Sequence, residues 1–181
     1  CRIFKDLGAH VVNADKIVHN LFASDQTLIQ QVAQLLGSDV VVNKQLDRSK
    51  IGQIVFHDLN LLKALEELIH PLVYREIDKE YQKQISLPHP PPLFVAEIPL
   101  LFESKGEENY DFIIAVIAYE QTCRKRFEEK TGLSQDEFNR RMTRQLPPDE
   151  KGRRAHAIIT NDGSFAELRE TTEQLYKKLT S

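Results

Sequence analysis

"AHVVNADKIVHNLF" (Ala9–Phe22) holds, in fourteen residues, a short buried strand, an acidic turn and the first half of an amphipathic helix. Ala9–Val12 reads as the strand, and Asp15 sits where a helix N-cap belongs. From Lys16 to Leu36 the apolar residues Ile17, Leu21, Leu28, Val32 and Leu35 recur at helical spacing, and Gly37 stops the pattern. A strand that passes straight into a helix is the building unit of an α/β domain. An acid just beyond such a strand lies at the mouth of an open parallel sheet, where ligands bind. A carboxylate there can take a proton from a hydroxyl or hold a metal ion, or it can do no more than cap the helix.

The same alternation continues downstream. Leu93–Ile98 follows the stiff connector "LPHPPP" (Leu87–Pro92) and reads as a second buried strand. "FIIAVI" (Phe112–Ile117) is a third, without polar alternation, as expected of a parallel strand covered on both faces. Ala157–Thr160 is a fourth. Helices are expected over Cys1–Leu7, Arg48–Phe56, Leu59–Ile69, Leu72–Ile85, Glu120–Lys130, Ser134–Gln145 and Phe165–Leu179, with Val40–Asp47 a loop or short strand. Pro71 separates two of these helices because proline cannot continue one, and Ser134 with Glu137 forms a capping box. The pattern predicts a single α/β domain over 1–181, with an inserted helical lobe over 16–87 and a helical lid over 119–154.

Composition narrows the function. The 181 residues are 41% hydrophobic and 28% charged, as in an ordinary globular protein, and the net charge of −3 argues against nucleic-acid and membrane partners. No apolar run approaches the ~20 residues of a membrane span, so a cytoplasmic location is the expectation. Two cysteines, Cys1 and Cys123, make neither a disulfide framework nor a metal site, and the six histidines show no ligand spacing. The charge is uneven: Arg124–Arg154 carries ten Lys/Arg against six Asp/Glu, which leaves −7 on the remainder. A basic lobe on an acidic body suits an anionic ligand.

Each further motif has a functional and a bland explanation. "FVAEIPLLFE" (Phe94–Glu103) runs a strand into a proline turn at Pro99 between two acids. Glu97 inside a buried strand demands a partner, and a salt bridge at the sheet edge would satisfy it. His70 in "LIHPLV" stands at a helix corner and can meet a phosphate, or simply hold the corner. In the basic segment Arg126 and Lys130 share one helix face, and Arg141, Arg144 and Gln145 fall close together. Planar guanidinium groups suit polyphosphate, though a solvated, salt-bridged helix pair has the same composition. "AIITNDGS" ends a strand in a polar turn, where Asn161 can face a base ring or serve the turn alone.

The order of these motifs is more specific than any one of them. "NAD" (Asn13–Asp15), "LDR" (Leu46–Arg48), "HP" (His70–Pro71), "PLLFE" (Pro99–Glu103), "RMTRQ" (Arg141–Gln145) and "AHAIITNDG" (Ala155–Gly163) together resemble the dephospho-CoA kinase family over nearly the whole chain. The resemblance implies a P-loop kinase-like fold: a three-layer parallel sheet with an inserted acceptor lobe and a helical lid. It implies ATP-dependent phosphorylation of the ribose 3′-hydroxyl of dephospho-CoA, with Mg²⁺ accompanying ATP. Asp15 becomes the catalytic base; Arg48, His70, Pro99 and Glu103 the acceptor side; Arg126, Lys130, Arg141, Arg144, Asn161 and Gly163 the ATP and lid side. Another P-loop nucleotide or nucleoside kinase, or a non-catalytic ligand-binding fragment, is the alternative.

Three positions depart from the family pattern. Asn13 replaces the first acid of D-A-D, Lys130 replaces the second arginine of the lid's R-x-x-x-R, and His156 replaces the acid of the closing motif. The 181 residues contain no G-x-x-x-x-G-K. In the family a strand and this phosphate loop precede the segment equivalent to Cys1. The expectation is therefore a chain without its first strand and P-loop, inactive and destabilised by itself.

Overall fold

The computed structural model describes all residues, Cys1–Ser181, and divides into two compact units: Ala9–Ile98, and Cys1–Gly8 with Pro99–Ser181. A short helix α1 (Arg2–Asp6) opens the chain and belongs to the second unit.

In the unit Ala9–Ile98, β1 (His10–Asn13) leads directly into α2 (Ala14–Ser24) and α3 (Gln26–Leu36). A tight hairpin, β2 (Val41–Val42) with β3 (Gln45–Leu46), turns on Asn43 and Lys44, both at positive φ (52° and 64°), as two-residue hairpin turns require. Then come α4 (Arg48–Val55), the long α5 (Leu59–Ile85) and β4 (Phe94–Glu97). β4 pairs parallel with β1, His10 opposite Phe94 and Asn13 opposite Glu97. The core lies between α2, α3 and α5, and Leu28, Val32 and Val40 are fully buried in it.

Two expectations fail here for identifiable reasons. The single helix over Lys16–Leu36 is two helices. Asp25, extended at φ −81° and ψ 99°, interrupts it, and its carboxylate accepts from the Leu28 backbone N–H at 3.0 Å as the N-cap of α3. Conversely, Pro71 does not end a helix. It lies inside α5, on its exposed side, while Leu65, Ile69, Val73 and Ile77 bury the opposite stripe. Burial of that stripe outweighs the lost backbone hydrogen bond and the ring clash, about 3 kcal/mol for an interior proline.

The second unit holds β5 (Ile114–Ile117), α6 (Glu120–Thr131), α7 (Gln135–Met142), α8 (Pro148–Arg154), β6 (Ala157–Thr160) and α9 (Phe165–Thr180). β5 and β6 pair parallel, from Ile114 opposite Ala157 to Ile117 opposite Thr160. The parallel α/β class is as expected, and each unit carries a two-stranded parallel ladder, β1 with β4 and β5 with β6. β5 starts later than Phe112 because the Ile113 N–H is taken by the His156 Nδ1 at 3.0 Å. The capping box stands at Ser164 and Glu167, opening α9. At Ser134 only half of one forms: Ser134 accepts from the Glu137 N–H at 3.4 Å, while the Glu137 carboxylate turns to Arg140 and Arg141. No helix is long and apolar enough to cross a membrane.

Equilibrium urea unfolding checks the two helix corrections. Asp25→Ala is expected to lose about 1 kcal/mol through the cap of α3. Pro71→Ala is expected to raise the unfolding midpoint, because it restores the α5 bond and relieves the ring clash, a gain of at most about 3 kcal/mol. An unchanged or lowered midpoint for Pro71→Ala would show that the proline is accommodated without cost.

Candidate active site

The end of the β1–β4 ladder is built by one side chain. Asn13, extended at φ −126° and ψ 119°, is the N-cap of α2: its Oδ1 accepts from the Lys16 backbone N–H at 2.9 Å. Its Nδ2 donates to Glu97 Oε2 at 2.8 Å across the ladder. The cap is therefore Asn13 and not Asp15, which corrects the simplest explanation of that acid. Asp15 lies in the first turn of α2, exposed, and its carboxylate makes no hydrogen bond or ion pair with any group of the chain. A helix N-terminus favours a carboxylate in that turn. Glu97 is exposed at the strand end rather than buried within it, so its charge remains hydrated.

The other acceptor-side residues are distributed over this unit and the next. Arg48 is the exposed first residue of α4, just after the cap Asp47. His70 is half-buried in mid-α5 rather than at a helix corner, because α5 runs through Pro71. Val12, Ile17, Asp25 and Glu80 line part of a cleft of about 450 Å³ in this unit, to which Asp15 does not contribute. Pro99 is exposed at the start of the second unit.

Glu103 is engaged within its own unit. Its Oε1 accepts from the Leu146 backbone N–H at 2.8 Å and from Lys151 Nζ at 2.9 Å, with the side chain only 16% exposed. Lys151 also donates to Gln145 Oε1 at 3.3 Å. Burial alone would push the Glu103 carboxyl up, but the Lys151 ammonium and the Leu146 amide outweigh it and hold it below the ordinary glutamate value. A second tie joins Arg154, stacked over Phe102 at 4.6 Å, to Glu107. The approach to α8 (Leu146), its middle (Lys151) and its end (Arg154) are thus held to the Leu100–Asn109 segment. Nothing in the sequence pattern pointed to Lys151 or Arg154 as partners of Glu103 and Glu107.

The basic residues of this unit are partly committed. Arg126 Nη1 donates to the Asn161 carbonyl at 2.8 Å, which ties α6 to the turn after β6. The Asp162 carboxylate reinforces the tie by accepting from the Tyr119 N–H at 2.8 Å. Arg141 pairs with Glu137 at 3.0 Å and lies over the Phe127 ring at 5.3 Å. Lys130 is exposed in the last turn of α6. Arg144 lies beyond the end of α7, in a turn where its N–H donates to the Arg141 carbonyl at 3.3 Å, so it shares no helix face with Arg141. Tyr119, Gln121 and Arg124 help line a cavity of about 550 Å³ at the start of α6.

Two positions of the closing motif have local explanations. A Cβ at Gly163 would collide with the Glu167 carboxylate, which accepts from the Ser164 N–H at 2.6 Å and its hydroxyl at 2.8 Å. His156 accepts from Ile113 and stacks on Phe112 at 5.2 Å, a structural role within the β5–β6 ladder.

The lowered Glu103 value sets a pH dependence. A depressed carboxyl contributes stability above the unfolded glutamate value, 4.5, and loses it as the pH falls through the lower folded value. Thermal melts of the native chain and Glu103→Gln are therefore expected to differ most at neutral pH and to converge below 4.5. A constant difference across that range would remove the charge from the anchor.

Comparison with known proteins agrees with this arrangement. The family model described as dephospho-CoA kinase matches residues 1–167. The chain is 44% identical to dephospho-CoA kinase of Protochlamydia amoebophila and 41% identical to that of Chlamydia felis, in each case over 99% of this chain and 88% of the relative. Among solved structures it resembles TT1252 from Thermus thermophilus (TM-score 0.80, 29% identity, 99% of this chain and 90% of that one). It also resembles the dephospho-CoA kinase from Campylobacter jejuni (TM-score 0.71, 26% identity, 99% and 89%). With its parallel ladders, its strand-end acid and its basic helices in the family's order, the chain belongs to the dephospho-CoA kinase family.

Proposed function

We propose that the protein transfers the γ-phosphoryl group of ATP to the ribose 3′-hydroxyl of dephospho-CoA, the last step of coenzyme A synthesis, and that Asp15 is the general base. The observation that carries the assignment is the unspent carboxylate. Asn13 does the capping, and Asp15 is left exposed without an internal partner at the end of a parallel strand.

The acceptor proton passes to Asp15 as the 3′-oxygen attacks the γ-phosphorus. The bond from that phosphorus to the β,γ-bridging oxygen breaks, and ADP leaves with its electrons. Arg48 and His70, in the helical lobe over 16–87, orient the acceptor. In the lid over 119–154, Lys130, Arg141, Arg144 and the remaining guanidinium donors of Arg126 engage phosphate oxygens and exclude water, which competes as acceptor. Asn161 and Gly163 border the adenine. Pro99 shapes the turn after β4, and Glu103 contributes by anchoring α8 rather than by touching substrate.

Mg²⁺ bound with ATP would supply positive charge to neutralise the phosphate oxygens. The exposed Asp15 oxygens are hard donors that fit such an ion with most of its waters kept. The chain has no group of three or more metal-ligating side chains, so the nucleotide phosphates would supply much of the coordination. The reaction belongs in the cytoplasm.

Steady-state kinetics of the full-length enzyme tests the base. Asp15→Asn is expected to lower kcat by about 10²–10⁴ with KM for ATP little changed. Undiminished kcat would sink the assignment. Dephospho-CoA is expected to outcompete nucleoside monophosphates as phosphoryl acceptor, and preferred turnover of a nucleoside monophosphate would move the protein to a different acceptor class.

A further inference from the structure

We infer that Glu97 is a positioning residue for phosphoryl transfer, acting through Asn13 on the helix turn that carries Asp15; the inference rests on the assignment of Asp15 as base. Glu97 touches neither Asp15 nor the reacting atoms; its partner is Asn13. It works through one hydrogen bond.

The two residues face each other at the last position of the β1–β4 ladder, where main-chain pairing has just fixed their separation. Asn13 Nδ2 donates to Glu97 Oε2 at 2.8 Å, and Asn13 Oδ1 accepts from the Lys16 N–H at 2.9 Å. The orientation of this amide is chemically determined. A carboxylate only accepts and a backbone N–H only donates, so turning the amide over would break both bonds. Glu97 thereby selects the amide orientation that caps α2. The cap in turn fixes the first turn of α2, where Asp15 follows two residues after Asn13.

The pairing also gives Asn13 a function of its own. The family resemblance places an aspartate at this position. Opposite Glu97, an aspartate would set two carboxylates at hydrogen-bond distance with no proton between them, and like charges so placed repel. Asn13 and Glu97 are a matched donor and acceptor. The pair is exposed, so it adds little to global stability, and its main effect is orientation. Displacing a reacting group by about an ångström costs on the order of 10²-fold in rate.

The test is a set of variants of the full-length enzyme, each read by kcat, KM for both substrates and melting temperature. Glu97→Leu removes the acceptor, and Asn13→Asp opposes two acids. Each is expected to lower kcat by about ten- to a hundredfold, with KM values and melting temperature close to the parent. Glu97→Gln keeps an acceptor for Nδ2 and is expected to recover most of what Glu97→Leu loses. The double variant Asn13→Asp with Glu97→Gln reverses the polarity: the new amide donates to the new carboxylate, whose other oxygen still caps α2. It is expected to restore most of the activity lost in Asn13→Asp. Parental kcat in Glu97→Leu, or a double variant no better than Asn13→Asp alone, would overturn the inference while leaving Asp15 as base. An active Asp15→Asn enzyme would remove both. Losses of kcat that follow the melting temperature across the set would reduce the pair to a structural one and overturn the inference as well.

Discussion

The carboxamide of Asn13 accepts at one end and donates at the other, and the geometry of the strand-end site depends on its doing both. A parallel ladder leaves its final residues with side chains facing each other and no further main-chain bond to hold them. The helix that follows begins with N–H groups that have no partner within it. Asn13 answers both needs at once, with Glu97 on one side and Lys16 on the other. The consequence is chemical: because the cap is supplied from the strand, Asp15 is free of structural duty.

The second unit meets a different demand by a similar device. Its basic helices carry like charges that repel unless they are held. Glu103 holds the approach to α8 through the Leu146 N–H and its middle through the Lys151 ammonium group, and Glu107 holds its end through Arg154. Arg126 and Asp162 tie α6 to the turn after β6. Each tie joins a side chain to backbone or to an opposite charge. The cationic segment is thereby fixed at its base, while Lys130 and other charges remain exposed.

Much of the fold was legible because burial leaves a periodic trace. β6 matches its apolar run at Ala157–Thr160, and the stripe of Leu28, Val32 and Leu35 does mark a helix. What misled was local chemistry read without its context. Asp25 is an ordinary polar residue in a helical pattern until its carboxylate is seen to cap α3. Pro71 is a breaker by rule, but an exposed one on a helix whose other face is deeply buried. Ser134 and Ser164 stand in the same S-x-x-E pattern, yet only Glu167 reaches back, because Arg140 and Arg141 draw Glu137 away.

The sequence by itself determined the α/β class, the positions of the strands and the family to which the chain belongs. These depend on residue type and spacing along one dimension, and apolar periodicity and motif order are written there. The tertiary structure alone decided which acid is spent and which is free. Asn13, Asp15, Glu97 and Glu103 are four polar residues in two short motifs, and nothing in their spacing separates a cap from an uncommitted acid or a buried anchor from an exposed carboxylate. That distinction depends on partners that lie 84 residues away for Asn13 and 43 away for Glu103, and only folding brings such partners within hydrogen-bond distance.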